Sequence, residues 1–236
     1  MRFFAIMLLI MQAVILAAGR GTRMNHLTEN TPKPMLNVGK MNLIEWKIEM
    51  LPEEISEVII IIGYLGEQIR EHFGDTFKGR KVIYIEQKEL NGTGGAIFLA
   101  KPFLKGKFLV MMGDDIYSKE ETEEMIKNGW SVLAKKMETD GKGAKIVLNK
   151  DKTIKEIIEG ARLEAGDWNN AGMYLLGTEI FNYPLVPRES GDKEFGLPQT
   201  IALAAKDIPI RIVPTEKWLQ VTSPEDIPKV EKMLGE

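Results

Sequence analysis

The sequence contains no cysteine, which excludes disulfide bonds, zinc–thiolate sites and thiol nucleophiles. It has two histidines, His26 and His72, and neither belongs to a His/Asp/Glu cluster with the spacing of metal ligands. We therefore expect no Ser–His or Cys–His catalytic arrangement. A chain without cysteine also suits a reducing compartment, and we predict a cytoplasmic location.

The sequence has no excess of positive charge. Its formal net charge is −3 and its isoelectric point is near 5.7, so nucleic acid and anionic membranes are not expected partners. A polyanionic ligand would have to be held by local cations. The 236 residues are 44% apolar, which is enough to fill a substantial core.

No apolar run is long enough to cross a membrane. The longest stretch, residues 3–18, is interrupted by Gln12. It has some features of a signal peptide, but a glycine motif follows it directly. We predict residues 1–10 to be an N-terminal extension, with Met11 as an alternative start, and residues 11–236 to be one domain.

Short apolar runs alternate with helix-like segments up to residue 130. This alternation predicts a mostly parallel sheet with helices on both faces, whose ligands lie beyond the carboxyl ends of the strands. The predicted strands are 14–17, 57–62, 81–85 and 107–112, and the predicted helices are 42–50, 66–73, 95–101 and 119–128.

Shorter strands joined by Gly and Asp turns follow residue 130. We interpret residues 11–130 as a nucleotide-binding half and residues 131–236 as an acceptor-binding half of the same domain. The predicted strands here are 130–136, 145–148, 153–159, 171–176 and 209–213, and the predicted helices are 196–205 and 223–234, the last one capped by Ser223.

A glycine loop, "GRGTRM" at 19–24, follows the first predicted strand. It is not a Walker A loop, and Met24 stands where a dinucleotide motif has its third glycine. Gly19 and Gly21 nevertheless allow backbone N–H groups to approach a phosphate closely. For this pair of glycines alone, a simple turn remains the alternative interpretation.

Two cations accompany the loop. Arg23 can bind phosphate oxygens through parallel hydrogen bonds, and Lys33 lies between Pro32 and Pro34, which restrict where its ammonium can go. Further along, "VMMGDD" at 110–115 ends a predicted strand with paired carboxylates. An acidic turn is the alternative interpretation of those carboxylates.

Taken together, "LAAGRGTRM" and "PKPML" resemble the signature of the sugar-1-phosphate nucleotidylyltransferases. The segments "EQKELNGTGGAI", "VMMGDDIY", "NNAGMYLL" and "WLQVTSPEDI" extend the resemblance from about residue 11 to the C-terminus. The resemblance implies a Rossmann-like three-layer α/β sandwich with a mostly parallel, mixed central sheet. It also implies joining of a nucleoside triphosphate to a sugar 1-phosphate, with release of pyrophosphate.

The resemblance assigns catalytic roles to three residues: Arg23 on the leaving pyrophosphate, Lys33 on the α-phosphate and Asp114 on Mg²⁺. It implies a sugar-phosphate site formed by Glu159, Arg162, Asn170 and Glu194. It implies nucleotide contacts from Leu16, Ala17, Gly19, Gly21, Thr22, Gln87, Gly92 and Thr93. A homo-oligomer is compatible with the family.

Two positions depart from the family pattern. Gln220 replaces an aspartate that would be the second metal ligand, and an uncharged amide should hold Mg²⁺ less firmly. Glu159 is followed by Gly160 and Ala161 instead of Lys and Pro, so Arg162 is the candidate replacement for the lysine. These departures leave two alternatives open: a cytidylyltransferase for phosphocholine or inositol phosphate, and a non-catalytic regulatory homologue that binds nucleotide.

Overall fold

The structure is a computed structural model that describes residues 11–188 and 193–235. The predicted extension at residues 1–10 lies outside the described residues. Within them, no helix is long and apolar enough to cross a membrane.

The first half alternates strands and helices as predicted. In chain order its elements are β1 (Met11–Ala17), β2 (Asn37–Val38), β3 (Met41–Asn42), α1 (Leu43–Met50), β4 (Ile55–Ile62), α2 (Gly66–Phe73), β5 (Thr76–Phe77), β6 (Arg80–Glu86), α3 (Gly92–Leu99), β7 (Lys107–Met112), β8 (Asp115–Ile116) and α4 (Lys119–Lys127). Short 3₁₀ helices cover Thr22–Thr28, Lys33–Met35 and Lys101–Phe103.

The second half is richer in strands. Its elements are β9 (Ser131–Lys136), β10 (Gly141–Leu148), β11 (Ile154–Leu163), β12 (Trp168–Gly177), α5 (Leu197–Ala204), β13 (Arg211–Thr215), β14 (Leu219–Gln220) and α6 (Ile227–Leu234). 3₁₀ helices cover Thr178–Asn182 and Pro224–Asp226. The predicted final helix at 223–234 is thus a 3₁₀ turn followed by α6.

One mixed sheet organises the domain. Its strand order is β11-β10-β12-β7-β1-β4-β6-β5, and β9 pairs with both β12 and β13. Strands β7, β1, β4 and β6 are parallel neighbours, whereas β12 runs antiparallel to β7, β9 and β10. The α/β fold is therefore confirmed, and parallel pairing is concentrated in the first half of the chain.

Both faces of the central strands are buried under helices. Alternate β1 residues enter different clusters: Val14 packs with α3 and α5 residues, and Ile15 packs with residues of α1, α2 and α4. Residues Val58–Ile62 of β4 divide in the same way, and all are buried. A continuous β-branched run is typical of a strand covered on both faces, and each such side chain contributes roughly 1.5–3 kcal/mol on burial. The result is a helix–sheet–helix sandwich.

Candidate active site

A cavity of about 400 Å³ opens beyond the carboxyl ends of β1, β6 and β7. β1 is paired in parallel with β7 on one side and with β4 on the other, and β4 is paired in parallel with β6, so the carboxyl ends of these strands lie at one edge of the sheet. Ligands of parallel α/β sheets bind at such an edge. The cavity is lined by Leu16, Ala17, Ala18, Gly19, Arg20, Gly21, Thr22, Arg23, Lys33, Pro34, Gln87, Leu90, Gly92, Thr93, Ala96, Met112, Gly113, Asp114, Arg188 and Glu194.

The glycine loop is shaped by Gly21, which has φ +65°. A Cβ at this position would lie 2.6 Å from the Cβ of Lys33, so the absent side chain leaves room for the lysine stem. The Thr28 hydroxyl donates to the Gly21 carbonyl at 3.1 Å and closes the loop. Gly21 therefore serves both the loop conformation and the position of Lys33.

Lys33 begins a short 3₁₀ helix after the extended residue Pro32, with Pro34 in its first turn. Its stem is buried, and its Nζ lies 2.7 Å from Oδ2 of Asp114. Asp114 follows β7, so the pair joins the glycine loop to the end of a neighbouring strand. The two residues for which the sequence predicts contacts with the α-phosphate and the metal thus contact each other at the cavity wall.

The β4–α2 connection and α2 contact both the glycine loop and the segment that follows it. The Tyr64 hydroxyl donates to the Glu29 carbonyl at 2.9 Å, and the Gln68 amide donates to the Asn30 carbonyl at 2.9 Å. The Arg20 guanidinium stacks over the Tyr64 ring at 5.5 Å from its centroid. These contacts hold Arg20 and residues 29–30 against Tyr64 and α2, and Arg20 adds a further cation to the cavity lining that contains Arg23.

Gln87 lies at one end of the cavity, immediately after β6, and is buried. Its Nε2 donates to Asn91 Oδ1 at 3.0 Å and to the Gly92 carbonyl at 3.1 Å, which fixes the orientation of the amide. Gly92 has φ +93°, and a Cβ there would lie 2.4 Å from the Phe195 carbonyl oxygen. Gly92 also begins α3, three residues earlier than the predicted helix start.

The segment before α5 is tied to the start of α3. Gly94 donates its N–H to the Phe195 carbonyl at 2.9 Å, and Phe195 donates to the Asn91 carbonyl at 2.7 Å. The Leu197 N–H donates to Thr93 Oγ1 at 3.0 Å. Glu194 therefore reaches the same cavity as the glycine loop, although it lies in the second half of the chain.

Arg188 joins two of the predicted sugar-phosphate residues. Its Nε lies 3.2 Å from Glu159 Oε2, and its Nη1 lies 2.8 Å from Glu194 Oε2. Gln199 Nε2 donates to the same Glu159 oxygen at 3.0 Å. Arg188 cannot be identified from the sequence, because no motif surrounds it and its long-range contact with Glu159 has no local signal.

Three of the residues predicted for the sugar-phosphate site, Glu159, Arg162 and Asn170, lie outside the cavity lining. Arg162 is in β11, highly exposed, with Nη2 3.3 Å from Asp140 Oδ2. Asn170 is half-buried in β12, and its Nδ2 donates to the Tyr174 hydroxyl at 2.8 Å. Arg188, not Arg162, is thus the cation beside Glu159.

Asp115 and Gln220 are partners in the short β8–β14 ladder. Asp115 is buried and accepts a hydrogen bond from the Tyr117 hydroxyl at 3.2 Å, while its Oδ1 has no hydrogen-bond partner among the described residues. Burial and the neighbouring Asp114 carboxylate raise the pKa of Asp115 well above its usual range. Asp115 is also absent from the cavity lining. Gln220 is exposed.

Among the described residues, no group of three or more His, Cys, Asp or Glu side chains is arranged to hold a metal ion. Asp114 is a carboxylate in the cavity wall. Mg²⁺ usually takes one or two carboxylates and completes its shell with phosphate oxygens and water. The residues present fit an ion that arrives with a polyphosphate.

The electrostatic balance of the lining favours an anion. Its acidic side chains are Asp114 and Glu194, and its basic side chains are Arg20, Arg23, Lys33 and Arg188. The chain as a whole is slightly acidic, so the excess of positive charge in the lining contrasts with the overall balance. It suits a ligand with several phosphoryl groups.

Comparison with known proteins identifies the family of this chain. Residues 12–235 match the family model described as nucleotidyl transferase. A bifunctional protein GlmU of Methanococcus maripaludis is 35% identical over 188 residues, which are 78% of this chain and 45% of that protein. A D-glycero-α-D-manno-heptose 1-phosphate guanylyltransferase of Campylobacter jejuni is 33% identical over 73% of this chain and 78% of its own.

The chain spans about half the length of the GlmU relatives. A solved structure of a putative glucose-1-phosphate thymidylyltransferase from Bacillus anthracis, in complex with sucrose, superposes with a TM-score of 0.79 at 22% identity and covers 94% of both chains. That likeness confirms the fold. The family match over nearly all of the described residues, together with the relatives above 30% identity, shows that the chain belongs to the nucleotidyl transferase family.

Proposed function

We propose that this protein transfers a nucleotidyl group from a nucleoside triphosphate to a sugar 1-phosphate and releases pyrophosphate. The observation that carries the proposal is the Lys33–Asp114 pair, with Nζ and Oδ2 2.7 Å apart, in the wall of one cavity with the glycine loop. Relatives named as a glucose-1-phosphate uridylyltransferase and a heptose 1-phosphate guanylyltransferase support the same substrate classes.

The reaction is an in-line displacement at the α-phosphorus. A phosphate oxygen of the sugar phosphate forms a bond to the α-phosphorus, and the bond to the oxygen that bridges the α- and β-phosphates breaks. Both reactants are anions, so the protein must hold them together and offset their charge. This chemistry requires no protein nucleophile.

The residues at the glycine loop take the triphosphate. Arg23 binds the β- and γ-phosphates, and the backbone N–H groups around Gly19 and Gly21 line the same path. Lys33 binds the α-phosphate, where negative charge builds up during attack. When bound, Mg²⁺ would neutralise phosphate charge, and Asp114 would hold it. Gln220 is the proposed second ligand, through its amide oxygen.

The nucleoside lies toward Gln87. Leu16, Ala17, Thr22, Gly92 and Thr93 complete the proposed nucleotide contacts, and all of them line the cavity. Gly92 allows a base to approach the main chain because it has no side chain. The Gln87 amide, oriented by Asn91, provides a polar group for a base edge.

The sugar phosphate enters beside Glu159 and Glu194. Their carboxylates would accept hydrogen bonds from sugar hydroxyl groups, and Asn170 completes the proposed set. Arg162 was the predicted phosphate-binding cation; its exposed position and its ion pair with Asp140 make Arg188 the better candidate. We assign the reaction to the cytoplasm, where nucleoside triphosphates and reducing conditions coincide, and we keep a homo-oligomer as a prediction.

A two-part assay tests the function. Thermal shifts with ATP, CTP, GTP, UTP and dTTP, each with Mg²⁺, should identify a triphosphate that stabilises the fold by mass action. Pyrophosphate release should then appear with that triphosphate and a hexose or heptose 1-phosphate. Turnover only with CTP and phosphocholine or inositol phosphate would favour the cytidylyltransferase alternative. Triphosphate binding without turnover on any acceptor would favour the regulatory alternative.

A further inference from the structure

A buried lysine lies beneath the candidate active site without a role in the proposed reaction. Lys47 lies in the middle of α1 and is 1% exposed. Among the described residues, Lys47 and Lys33 are the buried lysines. It is not part of the cavity lining. Burying an ammonium is costly, so a chain that keeps one should gain something specific from it.

The ammonium of Lys47 bridges two elements. Nζ donates to the Leu43 carbonyl of its own helix at 3.0 Å and to the Gly113 carbonyl at 3.1 Å, 66 residues away along the chain. Gly113 connects β7 to Asp114. Lys47 thus holds the backbone unit that immediately precedes the carboxylate of the active site.

The opposite side of this turn is also fixed. A Cβ on Gly113 would lie 2.4 Å from the Leu16 carbonyl oxygen, so the main chain is pressed against the end of β1. Beyond Asp114, its own carbonyl accepts the N–H of Val221 at 3.1 Å. The main chain of the turn between β7 and β8 is therefore held at three points, and Lys47 supplies the charged group among these three contacts.

Charge complementarity accompanies the hydrogen bonds. The carboxylates of Asp114 and Asp115 favour the protonated form of Lys47, but desolvation outweighs them and lowers its pKa from 10.5 to about 8. The lysine is thus mainly charged at neutral pH. Lys33 contacts the Asp114 carboxylate directly, whereas Lys47 acts through the Gly113 carbonyl and through longer-range attraction.

We propose that Lys47 is a positioning residue that fixes the Gly113–Asp114 turn, so that the Asp114 carboxylate faces the triphosphate and its divalent cation. The inference rests on the proposed function. Groups behind a metal ligand typically change metal affinity or activity by about 10–100-fold when they are removed. A residue that served only the fold would change stability without changing the dependence on Mg²⁺.

The test compares Lys47→Met with Lys145→Met. Lys145 forms an ion pair with Asp167, 2.7 Å between Nζ and Oδ2, and lies outside the cavity lining, so it controls for the loss of a lysine. For Lys47→Met we expect the Mg²⁺ concentration at half-maximal turnover to rise by about 10–100-fold, with the KM of the sugar phosphate little changed. Lys145→Met should match the unchanged enzyme in both measurements.

A binding readout separates this inference from the proposed function. The additional thermal shift that Mg²⁺ gives with the preferred triphosphate should shrink in Lys47→Met, whether or not turnover is detected. Lys47→Gln keeps a donor for the Gly113 carbonyl but carries no charge. Its Mg²⁺-dependent thermal shift should lie between those of Lys47→Met and the unchanged enzyme, and it replaces Lys47→Met as the test variant if Lys47→Met does not fold. An unchanged Mg²⁺ dependence in a folded variant overturns the proposal. Failure of both variants to fold also overturns it. The same holds if the unchanged enzyme shows no Mg²⁺-dependent thermal shift.

Discussion

Lys33 and Asp114 lie 81 residues apart in the sequence, and their side chains meet with Nζ 2.7 Å from Oδ2. The pair connects the loop after the first strand to the end of β7. In the absence of a polyphosphate, each group satisfies the charge of the other. A bound triphosphate and its cation would give each of them a new partner of opposite charge.

We expect Lys33→Ala and Asp114→Asn each to lower turnover by at least about 100-fold, the cost typical of removing one group that stabilises transition-state charge. Both variants should remain folded, because the site is at the edge of the core. Pyrophosphate release at saturating substrates and far-UV circular dichroism would measure the two properties.

Lys81→Ala is the matched control for these variants. Lys81 also pairs with a carboxylate, Glu57 at 3.0 Å, but it is exposed and lies far from the cavity lining. Its turnover should stay within about twofold of the unchanged enzyme, since exposed ion pairs contribute little. Near-normal turnover in Lys33→Ala or Asp114→Asn would remove that residue from the mechanism.

Gly21→Ala should damage nucleotide binding as well as stability. The added methyl group would be strained at φ +65° and would meet the Lys33 stem. Gly74→Ala separates the two effects, because Gly74 has φ +56° with nothing within 4 Å of its Cβ position. Both variants should lose roughly 1–3 kcal/mol of unfolding free energy from backbone strain, because Gly21 is left-handed (φ +65°, ψ +35°) and Gly74 has a conformation almost confined to glycine (φ +56°, ψ −158°).

Only Gly21→Ala should weaken the thermal shift produced by the preferred triphosphate. Chemical denaturation measures the common stability loss, and titration calorimetry measures the nucleotide affinity. Equal triphosphate affinities in the two alanine variants would mean that contact between Gly21 and Lys33 does not position the lysine.

Arg188→Ala should raise the KM of the sugar phosphate by about tenfold or more, because a charge-assisted hydrogen bond contributes roughly 1.5–3 kcal/mol. The KM of the triphosphate should change less. Arg162→Ala is the control, since Arg162 is exposed and paired with Asp140. A larger effect from Arg162→Ala than from Arg188→Ala would restore the assignment made from the sequence.

Glu121 provides a pH-dependent test of the fold. Its carboxylate accepts the Ser118 N–H at 2.7 Å and the Thr215 hydroxyl, yet burial raises its pKa above the ordinary value of 4.5. The folded protein therefore holds this proton more tightly than the unfolded chain. The associated stability is fully present below pH 4.5 and is lost as the pH rises through the folded pKa.

Glu121→Gln keeps an acceptor for Ser118 and a donor for Thr215, and it removes the buried charge. We expect the variant to gain stability relative to the unchanged protein at pH 7 and to lose that advantage toward pH 4. Urea unfolding across this range would measure the difference. A constant difference at all pH values would show that ionisation of Glu121 is not involved.

The sequence predicts the helix boundaries best where local chemistry marks them. Helices α1 and α4 begin within one residue of the prediction because Asn42 with Glu45, and Ser118 with Glu121, form capping boxes. Strand β11 was predicted to end at residue 159 but extends to Leu163. Gly160 has φ +68° and sits at a register irregularity between β10 and β11, so a bulge lets the strand continue.

The part of the site at the glycine loop and the part around Glu159 also differ in how well the sequence predicts them. Motifs of contiguous residues located Arg23, Lys33, Gln87 and Asp114, which the fold brings to one cavity. Arg188 could not be identified, because its position depends on the pairing of distant segments around Glu159. Local pattern predicts what a loop can bind, and strand order decides which loops share a ligand.

The segment that follows the glycine loop is held through its main-chain carbonyls, which leaves its side chains free for labelling. Tyr64 contacts the Glu29 carbonyl, and Gln68 contacts the Asn30 carbonyl. Glu29 and Asn30 are themselves exposed. A substitution at position 30 leaves that carbonyl in place. Asn30→Cys would create the sole thiol of the chain, so a fluorescent dye could be attached at one defined point beside the loop and would report the arrival of nucleotide in real time.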